Sequence, residues 1–375
     1  MGTPISPLKL AINDKIKDQF IIRKKLGEGS CGTVFLVQNL KEPKIRAAMK
    51  VEPFMKCKDD EILKMEVFVL KRMQSSKHVC RLLMAGKISN FSFMVMSLLG
   101  KELSDIRRRL PDRKMSVASV LKIGIQCCQA VHDMHMVGFV HRDVKPTNFC
   151  VGAQHRNMIY IFDFGLARQI LLPENGGSLT LREPRSKVSF RGTVRYCSIN
   201  VHEYKEQGRH DDLWSVLYML IELLTGTLPW KGLSRRESGQ IKANVTDATL
   251  TSKCPVSFAE LNTMLKKLTY FDKPNYEAIK DSFKRDLKET KVKLTDPFEW
   301  DVMKEDRKSS AEKTDDKDEK AEIDKMEGTD THRDVGDSAD SADTDEPSQT
   351  KGFAKEDTLE NVTNSIQFNQ SDMKK

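Results

Sequence analysis

The length, composition and charge of this chain exclude several classes of protein. Its 375 residues include 62 Lys/Arg and 54 Asp/Glu, a formal net charge of +8, and no apolar run approaches the length of a membrane span. The eight cysteines form no C-x-x-C pair and show no zinc-ligand spacing, which favours a reducing compartment. We expect a monomeric cytoplasmic protein, with the nucleus left open as a second location.

Residues 1–17 are assigned to an N-terminal extension. The extension lacks the apolar core of a signal peptide. Gly2 and Ser6 satisfy the loose pattern for N-myristoylation, but Pro4 and Pro7 disfavour it. We therefore expect an unacylated N-terminus.

A glycine-rich segment follows, between two short apolar runs. Gly27, Gly29 and Gly32 have the spacing G-x-G-x-x-G, which alone is weak evidence because dinucleotide-binding proteins share it. The flanking runs at residues 20–22 and 34–37 favour two strands of a hairpin over a strand-to-helix turn. Since glycines at a hairpin tip let the backbone approach phosphate oxygens closely, the segment is typical of a nucleotide-binding loop.

Lys50 is the next candidate for nucleotide binding. It ends the run Ala-Ala-Met-Lys, the pattern of a lysine that pairs with the α- and β-phosphates. Its ammonium group needs a carboxylate to hold it in place, and residues 61–73 supply candidates on a predicted amphipathic helix. Glu61 and Glu66 both lie on this helix. The alternative for either one is an ordinary solvated charge.

The most informative motif is the run His-Arg-Asp-Val-Lys-Pro-Thr-Asn at residues 141–148, with an Asp-Phe-Gly triplet beginning fifteen positions after it. Phosphoryl transfer needs little covalent help, only a group that orients the attacking hydroxyl and ligands for Mg²⁺. Asp143 is the candidate for the first task, and Lys145 would lie near the transferring phosphoryl group as a compact positive charge. Asn148 and Asp163 are the candidate metal ligands.

Taken singly, each motif has a structural alternative, since His-Arg-Asp can be a surface charge cluster and Asp-Phe-Gly a turn. Their order and approximate spacing together match the template for phosphoryl transfer. We therefore predict an α+β, bilobal protein kinase fold over residues 18–300, with a small antiparallel β-sheet N-lobe that carries helix C and a larger, mainly α-helical C-lobe. Residues 117–137, 212–224 and 276–287 are predicted helices of the C-lobe.

The chain resembles the casein kinase 1 superfamily, and most closely its tau-tubulin kinase branch, over residues 18–300. The resemblance rests on residues 64–67, 78–81, 141–149, 190–196 and 208–215. At residues 198–200, Ser-Ile-Asn replaces the Ala-Pro-Glu of most kinases, which marks the casein kinase 1 group. The resemblance implies a serine/threonine kinase that uses ATP and Mg²⁺ and acts on protein substrates. It also favours Glu66 over Glu61 as the partner of Lys50.

The resemblance further assigns the adenine pocket. Leu26 and Val34 border it from the glycine-rich segment, and Leu99 lies on the hinge whose backbone would hydrogen-bond the adenine. Met96 is expected to guard the back of the pocket, with core packing as its alternative role. Ser97 stands where relatives usually carry Glu or Gln, and we expect the backbone bonding to survive this change.

Residues 182–195, here called the basic segment, are rich in arginine and lysine. Relatives use basic residues in this region to bind anions. Arg191 and Arg195 flank Gly192 and Thr193, and their guanidinium groups are suited to holding a phosphate. We hypothesise a preference for acidic or pre-phosphorylated Ser/Thr sites, with cytoskeletal proteins as one substrate class. The alternative is an ordinary solvated basic face.

Two residues are expected to support the catalytic loop. Thr193 would brace Asp143 and Lys145, as it does in relatives. Asp212, at the start of a predicted helix, would hold the backbone of the loop rather than contact the substrate.

The character of the chain changes at residues 301–375. This tail has 12 Lys/Arg against 22 Asp/Glu, a net charge of −10, whereas residues 1–300 have 50 Lys/Arg and 32 Asp/Glu, a net charge of +18. A segment this polar buries too little apolar surface to offset its ordering entropy, so we expect a disordered acidic tail. Weak, salt-sensitive folding back onto the basic part and a purely solubilising role both stay open.

Two other functions are alternatives to an active kinase. A catalytically weak, pseudokinase-like scaffold would keep the fold but usually lacks a catalytic Lys, Asp or Asn, and this chain has all three at Lys50, Asp143 and Asn148. A nucleic-acid binder would interleave aromatic residues with its basic clusters, and this pattern is missing from the sequence. We expect no nucleic-acid partner.

Overall fold

The computed structural model describes residues 3–29, 32–57, 61–173, 179–302 and 366–367. A curled antiparallel sheet comes first in the chain and a larger helical lobe follows it, so the predicted α+β, bilobal architecture is confirmed. Lys50, Asp143 and Asp163, which were predicted from the sequence as site residues, lie on strands and loops where these two lobes meet.

The described residues form fourteen strands. They are β1 Lys15–Ile16, β2 Phe20–Gly29, β3 Gly32–Asn39, β4 Arg46–Pro53, β5 Leu82–Ile88, β6 Phe91–Ser97, β7 Leu99–Glu102, β8 Phe139–Val140, β9 Phe149–Gly152, β10 Ile159–Ile161, β11 Arg168–Gln169, β12 Leu171–Pro173, β13 Leu179–Leu181 and β14 Ile366–Gln367. The N-lobe sheet has the antiparallel order β1-β2-β3-β4-β6-β5-β14. The hairpin predicted around the glycine-rich segment is β2 and β3.

The same part of the chain forms nine α-helices. They are α1 Leu63–Arg72, α2 Leu103–Arg109, α3 Val117–Met136, α4 Ile199–His202, α5 Arg209–Thr225, α6 Arg235–Asn244, α7 Asp247–Thr251, α8 Val256–Leu265 and α9 Tyr276–Glu289. Helix α1 packs on the N-lobe sheet, and the others form the C-lobe. The helices predicted at residues 117–137, 212–224 and 276–287 are α3, α5 and α9. Helix α5 begins earlier than predicted because Asp211 accepts the backbone N–H of Gly208 at 2.7 Å and caps the helix.

Helices α3, α5 and α9 form the centre of the C-lobe. They approach closely at Gly124 of α3, where an added Cβ would lie 3.0 Å from both Leu220 and Phe283. Phe283 is fully buried and its ring packs against Phe258 of α8. This packed core supports the loops that enter the cleft, because α3 leads into β8 and the loop that follows it.

The N-terminal extension and the last residues of the predicted kinase region both pack onto the rest of that region. In the extension, the backbone N–H of Ile5 donates to the carbonyl of Phe54 at 2.8 Å, and Ile16 is buried in the N-lobe core. At the other end, the rings of Phe298 and Trp300 stack at 4.3 Å and are both buried. The tail predicted to be disordered lies outside the described residues, apart from residues 301–302 and 366–367.

Two features of the sequence can be compared with the described residues. No helix among them is both long and apolar enough to cross a membrane. Seven cysteines in the described ranges, including the adjacent Cys127 and Cys128, are free thiols, and Cys31 lies outside those ranges.

Candidate active site

Lys50 and Glu66 form a buried ion pair between the N-lobe sheet and helix α1. Side chains alternate along β4, so Ala47, Met49 and Val51 enter the lobe core while Lys50 points to the opposite face. Lys50 Nζ donates to Glu66 Oε1 at 2.5 Å. Burial raises the pKa of Glu66 to about 7, although the charge of Lys50 opposes the shift. The structure therefore brings these two predicted residues together inside the protein.

The other carboxylate that the sequence left open lies elsewhere. Glu61 Oε1 accepts the backbone N–H of Met55 at 3.3 Å, at the entrance to helix α1. Of Glu61 and Glu66, only Glu66 is in ion-pair contact with Lys50 among the contacts that the structure describes.

Glu52 supports the pair of Lys50 and Glu66, although no sequence motif identified it as a site residue. It lies two residues beyond Lys50 on β4 and therefore on the same face of the strand. Its carboxylate accepts the backbone N–H groups of Ile62 at 2.9 Å and Leu63 at 3.1 Å, which are donors left unsatisfied at the start of a helix. Burial raises the pKa of Glu52, while these two N–H groups oppose the shift. Glu52 thus anchors helix α1 to the strand that carries Lys50.

Asp143 lies at the centre of a hydrogen-bond triangle. Lys145 Nζ is 2.7 Å from Asp143 Oδ2, and Thr193 Oγ1 donates to Asp143 Oδ1 at 2.7 Å. Lys145 Nζ also donates to Thr193 Oγ1 at 3.2 Å. The short 3₁₀ helix Pro146–Asn148 follows at once. The triangle fixes the orientation of the Asp143 carboxylate at the mouth of the cleft.

Asn148 and Asp163 present oxygen atoms suited to a divalent cation. Asn148 Nδ2 donates to the carbonyl of Asp143 at 2.9 Å, so the amide oxygen is the atom left to act as a ligand. Asp163 Oδ1 lies 3.7 Å from Lys50 Nζ and its side chain is 31% exposed. Carboxylate and amide oxygens are ligands that Mg²⁺ prefers, usually one or two from the protein and the rest from phosphates and water. The donor set fits such an ion.

Asp212 holds the backbone of the catalytic loop. Its carboxylate accepts the N–H of His141 at 2.7 Å and the N–H of Arg142 at 2.8 Å, and His135 Nε2 lies 2.8 Å from it. Although burial opposes its ionisation, these partners hold the pKa of Asp212 below its usual value. Arg142 has a φ of +67°. Asp212 therefore stabilises a sparsely populated backbone conformation directly before Asp143.

Gly192 brings the basic segment onto this loop. Its φ is +114°, and an added Cβ would lie 2.5 Å from the carbonyl oxygen of Arg142. Only glycine fits this conformation and this approach. The contact places Thr193 beside Asp143.

The glycine-rich segment covers the cleft from the N-lobe. Gly27 pairs with Val34, and Val34 pairs in turn with Lys50 on the next strand. An added Cβ at Gly32, where φ is +116°, would lie 2.3 Å from the carbonyl oxygen of Val51, whereas one at Gly27 would meet no atom within 4 Å. The open space over Gly27 fits a phosphate-binding backbone.

Two more predicted nucleotide contacts lie at this end of the cleft. Leu26 is 47% exposed on β2, close to the tip of the hairpin. Gly29 pairs with Gly32 at that tip, and Ser30 and Cys31 between them lie outside the described residues.

The hinge region follows strand β6. Met96 lies near the end of β6, and its Sδ accepts a contact from Cys80 Sγ at 3.5 Å. Ser97 Oγ accepts the backbone N–H of Arg81 at 3.0 Å, so the residue that departs from the family pattern has a local role. Leu99 opens β7 opposite Gly152 of β9. Met96 and Leu99 therefore border the same junction of the two lobes.

The structure separates the two arginines predicted to bind anions. Arg195 turns inward, where its Nη1 lies 3.4 Å from Glu222 Oε1 and its side chain is 21% exposed. Glu222 is fully buried, also pairs with Arg107 at 3.1 Å, and accepts the hydroxyl of Tyr196. Arg191 is exposed. The carboxylate of Glu222 beside Arg195 is a partner that no local motif reveals, and anion binding by the two arginines stays a prediction.

Comparison with known families matches residues 20–290 to the family described as the protein kinase domain. The chain belongs to the protein kinase family. This kinase is also 38% identical over 296 residues to a probable serine/threonine-protein kinase of Dictyostelium discoideum, an alignment covering 78% of this chain and 58% of the relative. Relatives with serine/threonine kinase names place it in the serine/threonine protein kinase family.

Two relatives from Caenorhabditis elegans carry names from the superfamily that the sequence resembles. One, named provisionally as a casein kinase I, is 33% identical over 305 residues, which covers 79% of this kinase and 87% of the relative. The other, named an inactive tau-tubulin kinase, is 34% identical over 249 residues, which covers 63% of this kinase and 86% of the relative.

Proposed function

We propose that this kinase is an active, ATP-dependent serine/threonine kinase of the casein kinase 1 type, related most closely to the tau-tubulin branch. The observation that carries the proposal is that two charged constellations face one cleft. One is the buried pair of Lys50 and Glu66, and the other is the triangle of Asp143, Lys145 and Thr193. Such an arrangement suits a reaction that depends on positioning and charge stabilisation.

The residues of the cleft divide the work of holding the nucleotide. Bound Mg-ATP supplies the phosphoryl group for transfer. Lys50, held by Glu66, would bind the phosphates, and the backbone of the glycine-rich segment would cover them. Asn148 and Asp163 would hold the metal. Leu26, Val34, Met96 and Leu99 would enclose the adenine.

Asp143 would orient the hydroxyl of the substrate and accept its proton. Its carboxylate has two fixed partners, Thr193 on Oδ1 and Lys145 on Oδ2, so it loses little entropy when a hydroxyl approaches. Lys145 carries a positive charge close to the position where negative charge develops during transfer. These roles account for the pairing of an acid and a cation in one short loop.

We further propose a preference for acidic or pre-phosphorylated sites. Arg191 is exposed, and the neighbouring Phe190 ring lies under the guanidinium of Arg235 at 5.4 Å. The adjoining residues Lys187 and Arg236 are also exposed. Together these side chains form a positively charged surface beside the catalytic loop, which would attract an acidic or phosphorylated peptide. Arg191 is better placed than Arg195 to contact it.

A scaffold function without catalysis is the second candidate. The relative named as an inactive tau-tubulin kinase favours it, because it shows that a related chain carries such a description. Against it stands the assembled pair of Lys50 and Glu66 together with Asp143 and Asn148. We propose cytoskeletal proteins as one class of substrate, and the name of that relative adds tubulin as a candidate within the class.

The decisive experiment is transfer of labelled γ-phosphate from Mg-ATP to casein and to a phosphoprimed acidic peptide beside its unprimed twin. We expect transfer by the wild type and loss of transfer in Asp143→Asn with ATP binding retained. ATP binding without transfer by the wild type would favour the scaffold. For the site preference, Arg191→Gln should reduce the primed-to-unprimed ratio, whereas Lys284→Gln on the distant helix α9 should leave it unchanged; equal rates on both peptides would refute the preference.

A further inference from the structure

Outside the cleft, the buried carboxylate of Glu206 pairs with arginine side chains from neighbouring segments. Glu206 lies in residues 203–208, here called the α4–α5 connection, and is 6% exposed. Arg185 Nε donates to its Oε2 at 2.6 Å and Arg185 Nη2 to its Oε1 at 3.1 Å, which is a bidentate pair. Arg168 Nε lies 3.4 Å from Oε1. One acid therefore joins the strand after the Asp-Phe-Gly triplet to the basic segment.

Arg142, directly before Asp143 in the catalytic loop, belongs to the same charge cluster. Burial, together with the charges of Arg168, Arg191 and Arg185, lowers the pKa of Arg142 to about 9, while the charge of Glu206 opposes the shift. Although burial also disfavours ionised Glu206, the hydrogen bond from Arg185 and the surrounding arginines hold the pKa of Glu206 below its usual value. Without Glu206, this cluster would lack the carboxylate that stabilises it.

The α4–α5 connection also binds the basic segment through its backbone and a second side chain. The carbonyl of Tyr204 accepts the N–H of Val188 at 3.1 Å. Gln207 Nε2 donates to the carbonyl of Arg191 at 3.1 Å. With Glu206 between them, three nearby residues of the connection hold the basic segment at three points.

The catalytic loop contacts both the start of helix α5 and the end of the basic segment. Arg142 Nε donates to the carbonyl of Leu166 at 2.7 Å, and the backbone of Arg142 is held by Asp212 at the start of helix α5. Gly192 and Thr193, at the end of the same basic segment, contact Arg142 and Asp143. A shift of the basic segment would therefore move Thr193 away from Asp143.

We propose that Glu206 is a positioning residue for phosphoryl transfer: its built-in carboxylate neutralises the arginine cluster and fixes the basic segment beside the catalytic loop. In other kinases an added phosphate orders the equivalent segment by pairing with arginine. A buried glutamate supplies an anion permanently, so the site assembles in the unphosphorylated chain. The inference rests on the proposed kinase activity.

The test uses full-length protein treated with phosphatase and shown by intact mass to carry no phosphate. Glu206→Gln keeps the shape of the side chain and removes its charge, and we expect kcat to fall by at least about tenfold with a smaller change in KM for ATP. Glu206→Asp should recover part of the loss. Glu203→Gln is the matched control, because Glu203 lies in the same connection and pairs with Lys205 at the exposed surface. It should retain wild-type kcat.

A second variant separates positioning from general structural damage. Glu206→Ala leaves room for an anion among the arginines, so sodium sulfate, added at constant ionic strength, should raise its kcat and leave that of the wild type unchanged. A purely structural role predicts no such rescue in protein that remains folded. Should Glu206→Gln and Glu206→Ala fail to fold, Arg185→Met breaks the same pair from a side chain that is 48% exposed, and it should lower kcat while keeping the fold.

Each result decides for or against the inference. Wild-type kcat in folded Glu206→Gln, absence of sulfate rescue in folded Glu206→Ala, or unchanged kcat in Arg185→Met would overturn it. A wild type that transfers phosphate only after its basic segment has been phosphorylated would overturn the inference and leave the kinase intact. A wild type inactive in both states would instead refute the proposed function.

Discussion

Thr193 donates its hydroxyl hydrogen bond to Oδ1 of Asp143 at 2.7 Å, across fifty residues of sequence. The two residues come from different segments, the end of the basic segment and the catalytic loop. Because Lys145 also contacts both of them, the position of the basic segment determines the orientation of the catalytic carboxylate.

Removing the Thr193 hydroxyl should impair turnover more than substrate binding. We expect Thr193→Val to lower kcat by about ten- to a hundredfold, since a hydrogen bond to a charged group contributes roughly 1.5–3 kcal/mol. Thr193→Ser keeps the donor and should retain most of the activity. Steady-state kinetics with the casein assay measures both variants. Equal kcat values for the Val and Ser variants would contradict the role of the hydroxyl.

Glu52 should affect both stability and nucleotide binding through helix α1. Glu52→Ala deprives two backbone N–H groups of their acceptor, so the free energy of unfolding should fall by about 1–2 kcal/mol. KM for ATP should rise because Glu66 loses its fixed position beside Lys50. Urea denaturation and ATP kinetics give the two quantities.

Glu61→Ala is the matched control for Glu52, since Glu61 accepts only the N–H of Met55 at 3.3 Å among the described contacts. It should change both quantities much less. If Glu52→Ala had wild-type stability and an unchanged KM, the carboxylate cap would have no energetic importance.

Activity should depend on pH through Glu66. Its folded pKa is raised by burial from the ordinary 4.5 to about 7, so acidification protonates it and breaks the ion pair with Lys50. We expect kcat/KM for ATP to fall as the pH drops below about 7, in a profile that reports the free enzyme. Glu66→Gln should have a low kcat/KM and lack this limb. Parallel profiles for the two proteins would exclude Glu66 as the titrating group.

The raised pKa of Glu66 also makes stability depend on pH, in the opposite direction to activity. Because the folded state holds the Glu66 proton more tightly than the unfolded state, stability falls as the pH rises from about 4.5 to about 7. The Glu66→Gln protein lacks this dependence. The difference in unfolding free energy between wild type and Glu66→Gln should therefore change across this pH window and become constant above it.

Two glycines of the hairpin tip should respond differently to alanine. Gly32→Ala places a Cβ 2.3 Å from the carbonyl oxygen of Val51 at a φ of +116°, so we expect a loss of about 1–3 kcal/mol of stability. Gly27→Ala meets no atom within 4 Å and should keep wild-type stability while raising KM for ATP. Thermal unfolding and ATP kinetics distinguish these effects. Equal melting temperatures for the two variants would contradict the assignment.

The sequence by itself determined the fold class and the main candidate residues. The order of the glycine-rich segment, Lys50, Asp143, Asn148 and Asp163 specifies a kinase because phosphoryl transfer needs these side chains in short motifs. Hydrophobic periodicity predicted α3, α5 and α9 for a similar reason, since a helix that packs on a core must repeat its apolar residues along the chain.

Only the tertiary structure decided which distant charges meet. Glu52 and Glu206 resemble ordinary surface acids in the sequence, yet one anchors helix α1 and the other pairs with arginines from separate segments. Arg195 likewise lies against Glu222, a partner that no motif in the sequence indicates. The physical reason is that a local motif specifies short-range geometry, whereas the partner of a buried charge is chosen by the packing of segments far apart in the chain.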